Sequence, residues 1–123
     1  MNTYDDPRLL DYLDHILKAI NRIIEYVDDM DEIDFSQDNR TQDAVIRNFE
    51  NIGEASRNIE KRYPEFAAKY SEVPWGIAYE MRNALSHGYF KVDLDVVWRT
   101  IENDLPQLKT QVNEIYLSIK GKS

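Results

Sequence analysis

The chain has 123 residues, enough for one domain with a buried core and too few for two. It contains no cysteine and two histidines, so disulfides, a thiolate nucleophile and a cysteine-based zinc site are excluded, and we expect no metal or other cofactor. The net charge of −8 argues against a protein that coats DNA, since phosphate binding requires clustered Lys and Arg, and it favours a basic partner.

A long first helix is predicted to begin at Pro7, a favoured first position for proline, with Asp5 or Asp6 as its cap. Apolar residues then recur in steps of three and four, which form one face of a helix. The predicted centre of this face is Leu10, Leu13, Leu17, Ile20, Ile24 and Val27, and Leu9, Ile16 and Ile23 widen it. His15 lies off this face and is interpreted as a solvated surface histidine. The acidic run that starts at Asp28 is unfavourable at a helix carboxyl end, so the helix should stop there.

A loop through residues 34–38 is predicted to lead to a second long helix, from about Arg40 to Arg62. Its predicted buried residues are Val45, Phe49, Ile52, Ala55 or Ser56, and Ile59, with Ile46 and Gly53 beside them. Gly53 costs about 1 kcal/mol against alanine in a helix interior, a cost that close approach of another helix would offset. Arg47, Glu54 and Arg57 lie on its flanks, where Glu54 could form surface ion pairs with either arginine.

Tyr63 and Pro64 end that helix, and residues 64–70 are predicted to form a short helical turn. A third long helix is predicted from Pro74 to Ser86, with Gly88 just past its end, where glycine relieves a left-handed cap. Trp75, Ile77, Ala78, Met81 and Leu85 are available for burial on it.

Asp93 is predicted to cap a fourth helix, which Gly121 closes. Its apolar residues are Leu94, Val97 or Trp98, Ile101, Leu105, Leu108, Val112, Ile115 and Ile119. Pro106 lies inside this pattern and predicts a kink or break near Asn103.

No segment alternates convincingly with period two, so the predicted fold is all-α. We expect an up-down bundle of four long helices plus a short one, in a single domain over residues 1–123. The start of the chain lacks a signal pattern, and no stretch approaches the roughly 18 apolar residues that span a bilayer. We therefore expect a cytoplasmic protein without membrane contact.

Residues 82–89 concentrate more groups able to move protons and bind phosphate than any other stretch: Arg82, Asn83, Ser86, His87 and Tyr89. The plain alternative is a helix end, where the dipole favours Arg and His. On a regular helix Asn83 and His87 share a face, whereas the directions of Arg82 and His87 differ by about 140°. These two would meet if the helix unwinds near Ser86, if their tips pivot into a cleft, or if a two-fold dimer sets two copies across a groove.

The same groups suit metal-free cleavage of RNA, whose ribose 2′-hydroxyl is a built-in nucleophile that DNA lacks. A histidine, with a pKa of about 6.5, takes or returns a proton near neutral pH. The arginine fork stabilises the charge that builds up on the phosphate. The amide of Asn83 could hold the imidazole or a phosphate oxygen, and the hydroxyl of Tyr89 should be accessible past the glycine.

The pattern Arg82-Asn83-x-x-x-His87-x-Tyr89 resembles the R-x-x-x-x-H-x-Y signature of the HEPN ribonucleases, specifically the HepT-like toxins. The resemblance covers nearly the whole chain, in the right order. The segments 47–55, 73–75 and 88–98 are similar to the second helix of the family, to the entry into its motif helix and to the continuation after the motif.

The resemblance implies a HEPN bundle that dimerises so that both motifs line one cleft. It implies a metal-independent endoribonuclease in which Arg82 and His87 are the catalytic pair and Asn83 supports them. It also implies a cognate minimal nucleotidyltransferase as antitoxin, which attaches AMP to Tyr89 and so blocks an RNA phosphate by size and repulsion. The substrate would be RNA, with tRNA suggested by the family. Arg47, Arg57, Lys91 and Ser86 are the candidates for RNA binding.

Two other interpretations stay open. The chain could be a non-catalytic helical module that partners a nucleotidyltransferase and presents a substrate or Tyr89 to it. It could also be a dimeric helical adaptor in which residues 82–89 are only a helix cap.

Overall fold

The structure is a computed structural model that describes residues 6–76 and 93–121, and those residues form helices and no strand. The helices are α1 (Pro7–Val27), α2 (Glu32–Gln37), α3 (Asn39–Arg62), α4 (Pro64–Lys69), α5 (Leu94–Arg99) and α6 (Leu105–Lys120), and a π-helical segment, Thr100–Asp104, joins α5 to α6. The all-α prediction is confirmed.

The predicted third long helix lies mostly outside the described residues. Its described beginning, residues 74–76, is a turn, so the prediction that a helix begins at Pro74 is wrong. The backbone N–H of Trp75 donates to the carbonyl of Val73 at 2.8 Å, and its indole N–H donates to the carbonyl of Tyr70 at 3.2 Å. These bonds satisfy Trp75 within the turn, and its side chain is buried as predicted.

Helix α1 begins and ends where the sequence predicts. The side chain of Asp6 accepts a hydrogen bond from the N–H of Arg8 at 2.9 Å, and the helix ends at Val27, before the acidic run. Of the residues predicted for the centre of its apolar face, Leu13, Leu17, Ile20 and Val27 are buried, whereas Leu10 and Ile24 are only half-buried. The deepest residues are Leu9, Leu13, Ile16, Ile20 and Ile23. The shift follows from packing, because α1 contacts both α3 and α6 and its centre faces the space between them.

Helix α2 lies where a loop was predicted. Asp31 and Asp34 form a capping box, in which each side chain accepts from the other's backbone N–H, at 2.8 and 3.2 Å. One large side chain, Phe35, is fully buried, and its ring lies 5.4 Å from that of Trp98. A six-residue helix with one buried residue is too short to show a helical repeat, so the apolar pattern misses it.

Helix α3 confirms the second predicted helix to within one residue, with Asp38 as its cap. Its buried face contains the predicted residues, including Gly53, except Ile46, which is half-buried, and in addition it contains the polar Asn48. Helix α4 confirms the predicted short turn after Tyr63.

The end of α3 is tied to the start of α1 by one hydrogen bond. The Tyr63 hydroxyl donates to Oδ2 of Asp6 at 2.6 Å. This bond, followed by that from Arg8, holds the pKa of Asp6 below its ordinary value. Burial, followed by the bond to Asp6, raises the pKa of Tyr63 to about 12. The hydrogen bond requires a protonated Tyr63 hydroxyl and an ionised Asp6 carboxylate, and both pKa shifts favour these states at neutral pH.

The predicted irregularity near Asn103 is confirmed as the π-helical segment. Pro106 has no N–H to donate to the carbonyl four residues earlier, so the α-helical ladder is interrupted there. The N–H of Leu105 instead donates to the carbonyl of Thr100, five residues back. Because such a turn takes an extra residue, the apolar face continues from α5 into α6 without rotating to solvent. Asp93 caps α5, as predicted.

The largest interface of α1 is with α3. The exposed edges of these two helices border a groove, and this is what the fold contributes to the candidate site. Within the described ranges, no helix has the length and apolar character needed to cross a bilayer.

Candidate nucleic-acid interface

The predicted catalytic segment lies outside the described residues. This holds for the proposed catalytic group, Arg82, Asn83 and His87, for the modification site Tyr89, and for the RNA-binding candidates Ser86 and Lys91. Their roles therefore stay predictions.

The other two RNA-binding candidates, Arg47 and Arg57, are exposed on α3. Ten residues separate them, which is about 15 Å along the helix axis and about 80° around it. The structure does not bring them together. In the described part of the chain neither arginine forms an ion pair with Glu54, and both side chains are exposed to solvent.

Arg47 belongs to one edge of α3. Going along the helix, Arg47, Asn51, Glu54 and Asn58 follow each other in steps of four, three and four, so they lie on one side of it. Three of them border the groove next to α1, and Arg47 is one turn beyond it. Arg57 faces away from this edge.

The α1–α3 groove has a volume of about 540 Å³. It is lined by Tyr12, His15, Lys18, Ala19 and Arg22 of α1 and by Asn51, Glu54, Ala55 and Asn58 of α3. Ala19 and Ala55 are buried, and their short side chains let the groove reach down between the two helices. The residues at its rims are polar, and three of those on α1 are basic.

The basic rim consists of His15, Lys18 and Arg22, at successive steps of three and four residues. Lys18 Nζ lies 2.9 Å from Oδ2 of Asp14, and this bond raises the pKa of the lysine, so it is fully protonated at neutral pH. An ammonium group has three N–H donors, so two remain available to a ligand. Arg22 forms no ion pair with any described residue.

Sequence reasoning missed this groove. His15 is exposed, as interpreted, but it also lines the groove. The spacing of His15, Lys18 and Arg22 shows in the sequence that they share one helix face. The sequence does not show that the neighbouring helix faces this rim with amides and a carboxylate.

One buried polar side chain lies beside this edge of α3. Asn48 is 5 % exposed, and its Nδ2 donates to the carbonyl of Ala44 at 2.8 Å. Its Oδ1 is buried and has no hydrogen-bond partner among the described residues. A buried acceptor left without a partner costs roughly 1–3 kcal/mol.

The negative charge of the chain is concentrated in residues 28–38, which we call the acidic segment. It holds six of the acidic residues and no Lys or Arg, so it accounts for six of the eight net negative charges. Helix α1 has equal numbers of acidic and basic residues, and α3 has one more basic than acidic. The region around the groove is therefore far less repulsive to phosphate than the net charge suggests.

The acidic segment is crowded enough to change a pKa. The neighbouring Asp95 of α5 raises the pKa of Glu32, since a hydrogen bond between two carboxyl groups requires that one of them be protonated. No group of three or more His, Asp or Glu side chains suited to hold a metal ion occurs in the ranges 6–76 and 93–121.

A family model described as ribonuclease HepT-like matches residues 16–115. The chain belongs to the HepT-like ribonuclease family. The matched region contains most of the groove and all of the 82–89 segment, and the all-α architecture agrees with the HEPN bundle that the resemblance implied.

Relatives of this HepT-like chain bear names of the same class. It is 42% identical over 105 residues to a "Probable ribonuclease HepT" of Thermococcus cleftensis, covering 85% of this chain and 93% of the relative. It is 41% identical over 104 residues to a "Putative RNase" of Caldanaerobacter subterraneus subsp. tengcongensis, covering 85% and 90%. It is 44% identical over 104 residues to a "Gamma-glutamylcyclotransferase and putative RNase" of Methanocaldococcus jannaschii, where the match covers 85% of this chain and 46% of that longer protein. No solved structure matches the chain.

Proposed function

We propose that this HepT-like protein is a metal-independent endoribonuclease toxin that acts as a homodimer. In this proposal the motifs of two subunits line one cleft, with Arg82 and His87 as the catalytic pair and Asn83 as their support. The observation that carries the proposal is that the family match over residues 16–115 contains the Arg82-Asn83-x-x-x-His87-x-Tyr89 pattern. The ribonuclease names of the relatives support the same reaction class.

The proposed reaction starts from the substrate's own 2′-hydroxyl. Its oxygen forms a bond to the adjacent phosphorus while the bond from phosphorus to the 5′-oxygen breaks, so DNA is not a substrate. A proton leaves the 2′-oxygen and a proton is returned to the 5′-oxygen, and His87 takes part in this transfer. The guanidinium of Arg82 donates two hydrogen bonds to the phosphate oxygens as their charge increases.

The proposed RNA contacts outside the catalytic pair are Arg47, Arg57, Lys91 and Ser86. Arg47 and Arg57 are exposed, as such contacts require, and the distance between them means that one RNA molecule would have to span about 15 Å to reach both. A folded RNA such as tRNA is large enough to do so. We place this reaction in the cytoplasm.

We further propose that a minimal nucleotidyltransferase acts as the antitoxin by attaching AMP to the hydroxyl of Tyr89. The adduct adds bulk and negative charge two residues from His87. It would keep an RNA phosphate out of the cleft by size and by repulsion.

A second candidate function is a non-catalytic helical module that binds the nucleotidyltransferase. The acidic segment favours it, because six carboxylates without a basic residue offer an attractive surface to a basic protein and none to RNA. In this case Tyr89 would still be presented to the partner, but the chain would cut nothing.

The deciding experiment incubates the purified protein with total cellular RNA in EDTA, beside the variants Arg82→Ala and His87→Ala and the matched control Lys109→Ala. Lys109 is exposed on α6 and lies outside the proposed site. Cleavage by the wild type and the control only, insensitive to EDTA, supports the proposal. If the wild type leaves RNA intact, the ribonuclease proposal fails.

A second measurement separates the two candidates. After co-expression with a nucleotidyltransferase encoded next to this chain, mass spectrometry should find AMP on Tyr89. AMP on Tyr89 in a chain that never cuts RNA would support the binding module. AMP at another residue, or none, would contradict the proposed regulation.

A further inference from the structure

We propose that the α1–α3 groove is an RNA-binding site, which holds a single-stranded segment of RNA through residues that are not part of the catalytic segment. The inference rests on the proposed function in one respect, the choice of RNA as the ligand. It uses different residues from the catalytic segment and can fail or hold independently of cleavage.

The first argument is the difference between the two rims. On α1 the groove presents His15, Lys18 and Arg22, which can donate hydrogen bonds to phosphate oxygens. On α3 it presents Asn51, Glu54 and Asn58, whose amides both donate and accept and whose carboxylate accepts. Amide and carboxylate groups match the donor and acceptor pattern of base edges. One rim therefore suits a backbone and the other suits bases.

This arrangement requires a single strand. In an A-form duplex side chains cannot read the narrow major groove, and the wide minor groove is recognised mostly through its shape, 2′-hydroxyls and phosphates, whereas unpaired bases expose their edges. Glu54 adds to this orientation, because its carboxylate repels phosphate and can accept from a base amino group. The strand would thus lie with its phosphates along α1 and its bases towards α3.

The dimensions of the groove suit a short stretch of strand. His15 and Arg22 are seven residues apart, which places their backbones about 10 Å apart along α1. The volume of about 540 Å³ is that of a site for a ligand of nucleotide size or larger. The floor is formed by Ala19 and Ala55, so no long side chain of the residues that line the groove fills the space.

Two further residues extend the site at its ends. Tyr12 is half-buried one turn from His15 and can stack on a base, which stabilises binding to single strands without sequence preference. Arg47 follows the α3 rim one turn beyond Asn51 and can bind a phosphate as the strand leaves the groove. Arg47 would then serve this site.

The test measures binding without cleavage. The full chain with His87→Ala is titrated into a fluorescently labelled single-stranded RNA oligonucleotide, and anisotropy gives the Kd over a series of salt concentrations. Arg22→Glu and Lys18→Glu are compared with Lys109→Glu, which makes the same change of charge on exposed α6. Circular dichroism confirms folding, and Arg22→Gln replaces Arg22→Glu if the reversal unfolds the chain.

We expect each groove variant to weaken RNA binding about tenfold and to lower the salt slope by about one ion, while Lys109→Glu changes Kd less than twofold. An equal loss of RNA affinity in all three variants would show that RNA is attracted by net charge only, and it would overturn the proposal that the groove binds RNA. Absence of RNA binding by the parent would overturn it as well.

The outcomes separate this inference from the proposed function. If the wild type does not cut RNA but Arg22→Glu selectively loses RNA binding, the ribonuclease proposal fails and the groove stands. If the wild type cuts RNA and the groove variants bind and cut as well as the control, the proposal of RNA binding in the groove fails and the ribonuclease proposal is unaffected.

Discussion

The acidic segment and the α1–α3 groove show how unevenly one small chain can distribute charge. The acidic segment has six carboxylates in eleven residues, and Asp95 of α5 lies close enough to raise the pKa of Glu32 within it. The groove lies between two helices with almost balanced charge and has a basic rim. Screening limits surface charges to about 10 Å, so the local set of charges decides whether phosphate is attracted, and the net charge of −8 does not.

The two regions also differ in how they are anchored to the core, and the variant with the largest expected effect on stability tests this difference. The acidic helix α2 is anchored by one buried side chain, so Phe35→Ala should lower the free energy of unfolding by about 3–5 kcal/mol. Urea denaturation measures the loss. Ile33→Ala is the control, since Ile33 on the same helix is 65 % exposed. A loss below about 1 kcal/mol for Phe35→Ala would mean that the capping box holds α2 without this anchor.

The groove side of the molecule contains an opposite case, a buried group that weakens the fold. Asn48→Leu removes the unpartnered Oδ1 and should raise the free energy of unfolding by about 1 kcal/mol. The control is Asn58→Leu, because Asn58 is half-buried at the groove rim and loses nothing of this kind. Lower stability of Asn48→Leu would show that its bond to Ala44 outweighs the orphaned oxygen.

Asn48→Leu also tests whether stability has been given up for function. If Asn48 is kept for its chemistry, the more stable variant should cut or bind RNA less well than the wild type. A variant that is more stable and equally active would show that Asn48 has no role in RNA binding or cleavage.

The boundaries of α1, α3 and α4 could be predicted from sequence because each depends on a local signal, whereas α2 was missed. Tyr63 and Pro106 were predicted to end one helix and to interrupt another, and the structure confirms both positions. The centre of the α1 face could not be predicted from the same repeat. Leu9 and Leu10 both continue the pattern, and only the positions of α3 and α6 decide that Leu9 is the buried one.

The groove could not be predicted because it depends on two helices at once. His15, Lys18 and Arg22 have a regular spacing in sequence, but a solvated helix face has the same spacing. Their meaning changes when Asn51 and Asn58 lie opposite. The 82–89 segment is the reverse case, because its motif is recognisable in sequence without any knowledge of its neighbours.

The influence of the acidic segment on RNA should be weaker than that of the groove. Asp28→Asn with Asp29→Asn removes two exposed charges and should tighten RNA binding a few-fold at low salt. The gain should disappear at about 1 M salt, where screening shortens to about 3 Å. Arg22→Gln provides the comparison in the same anisotropy assay, and its loss should be larger than this gain. A larger gain than loss would show that repulsion from the acidic segment dominates RNA binding.

The smallest effect lies within the acidic segment itself. Because the pKa of Glu32 is raised in the folded protein, its contribution to stability is present below the pKa of the unfolded chain and is lost as the pH rises through the folded value. At neutral pH the ionised Glu32 beside Asp95 is therefore unfavourable.

Glu32→Gln keeps a donor towards Asp95 and removes the charge, so this variant should be slightly more stable than the wild type at pH 7. The difference in stability should vanish as the pH falls below about 4. Thermal melts across this pH range measure it, with Glu114→Gln on α6 as the control. A gain that persists at low pH would come from packing and not from charge, and the acidic segment would then be less strained than its composition indicates.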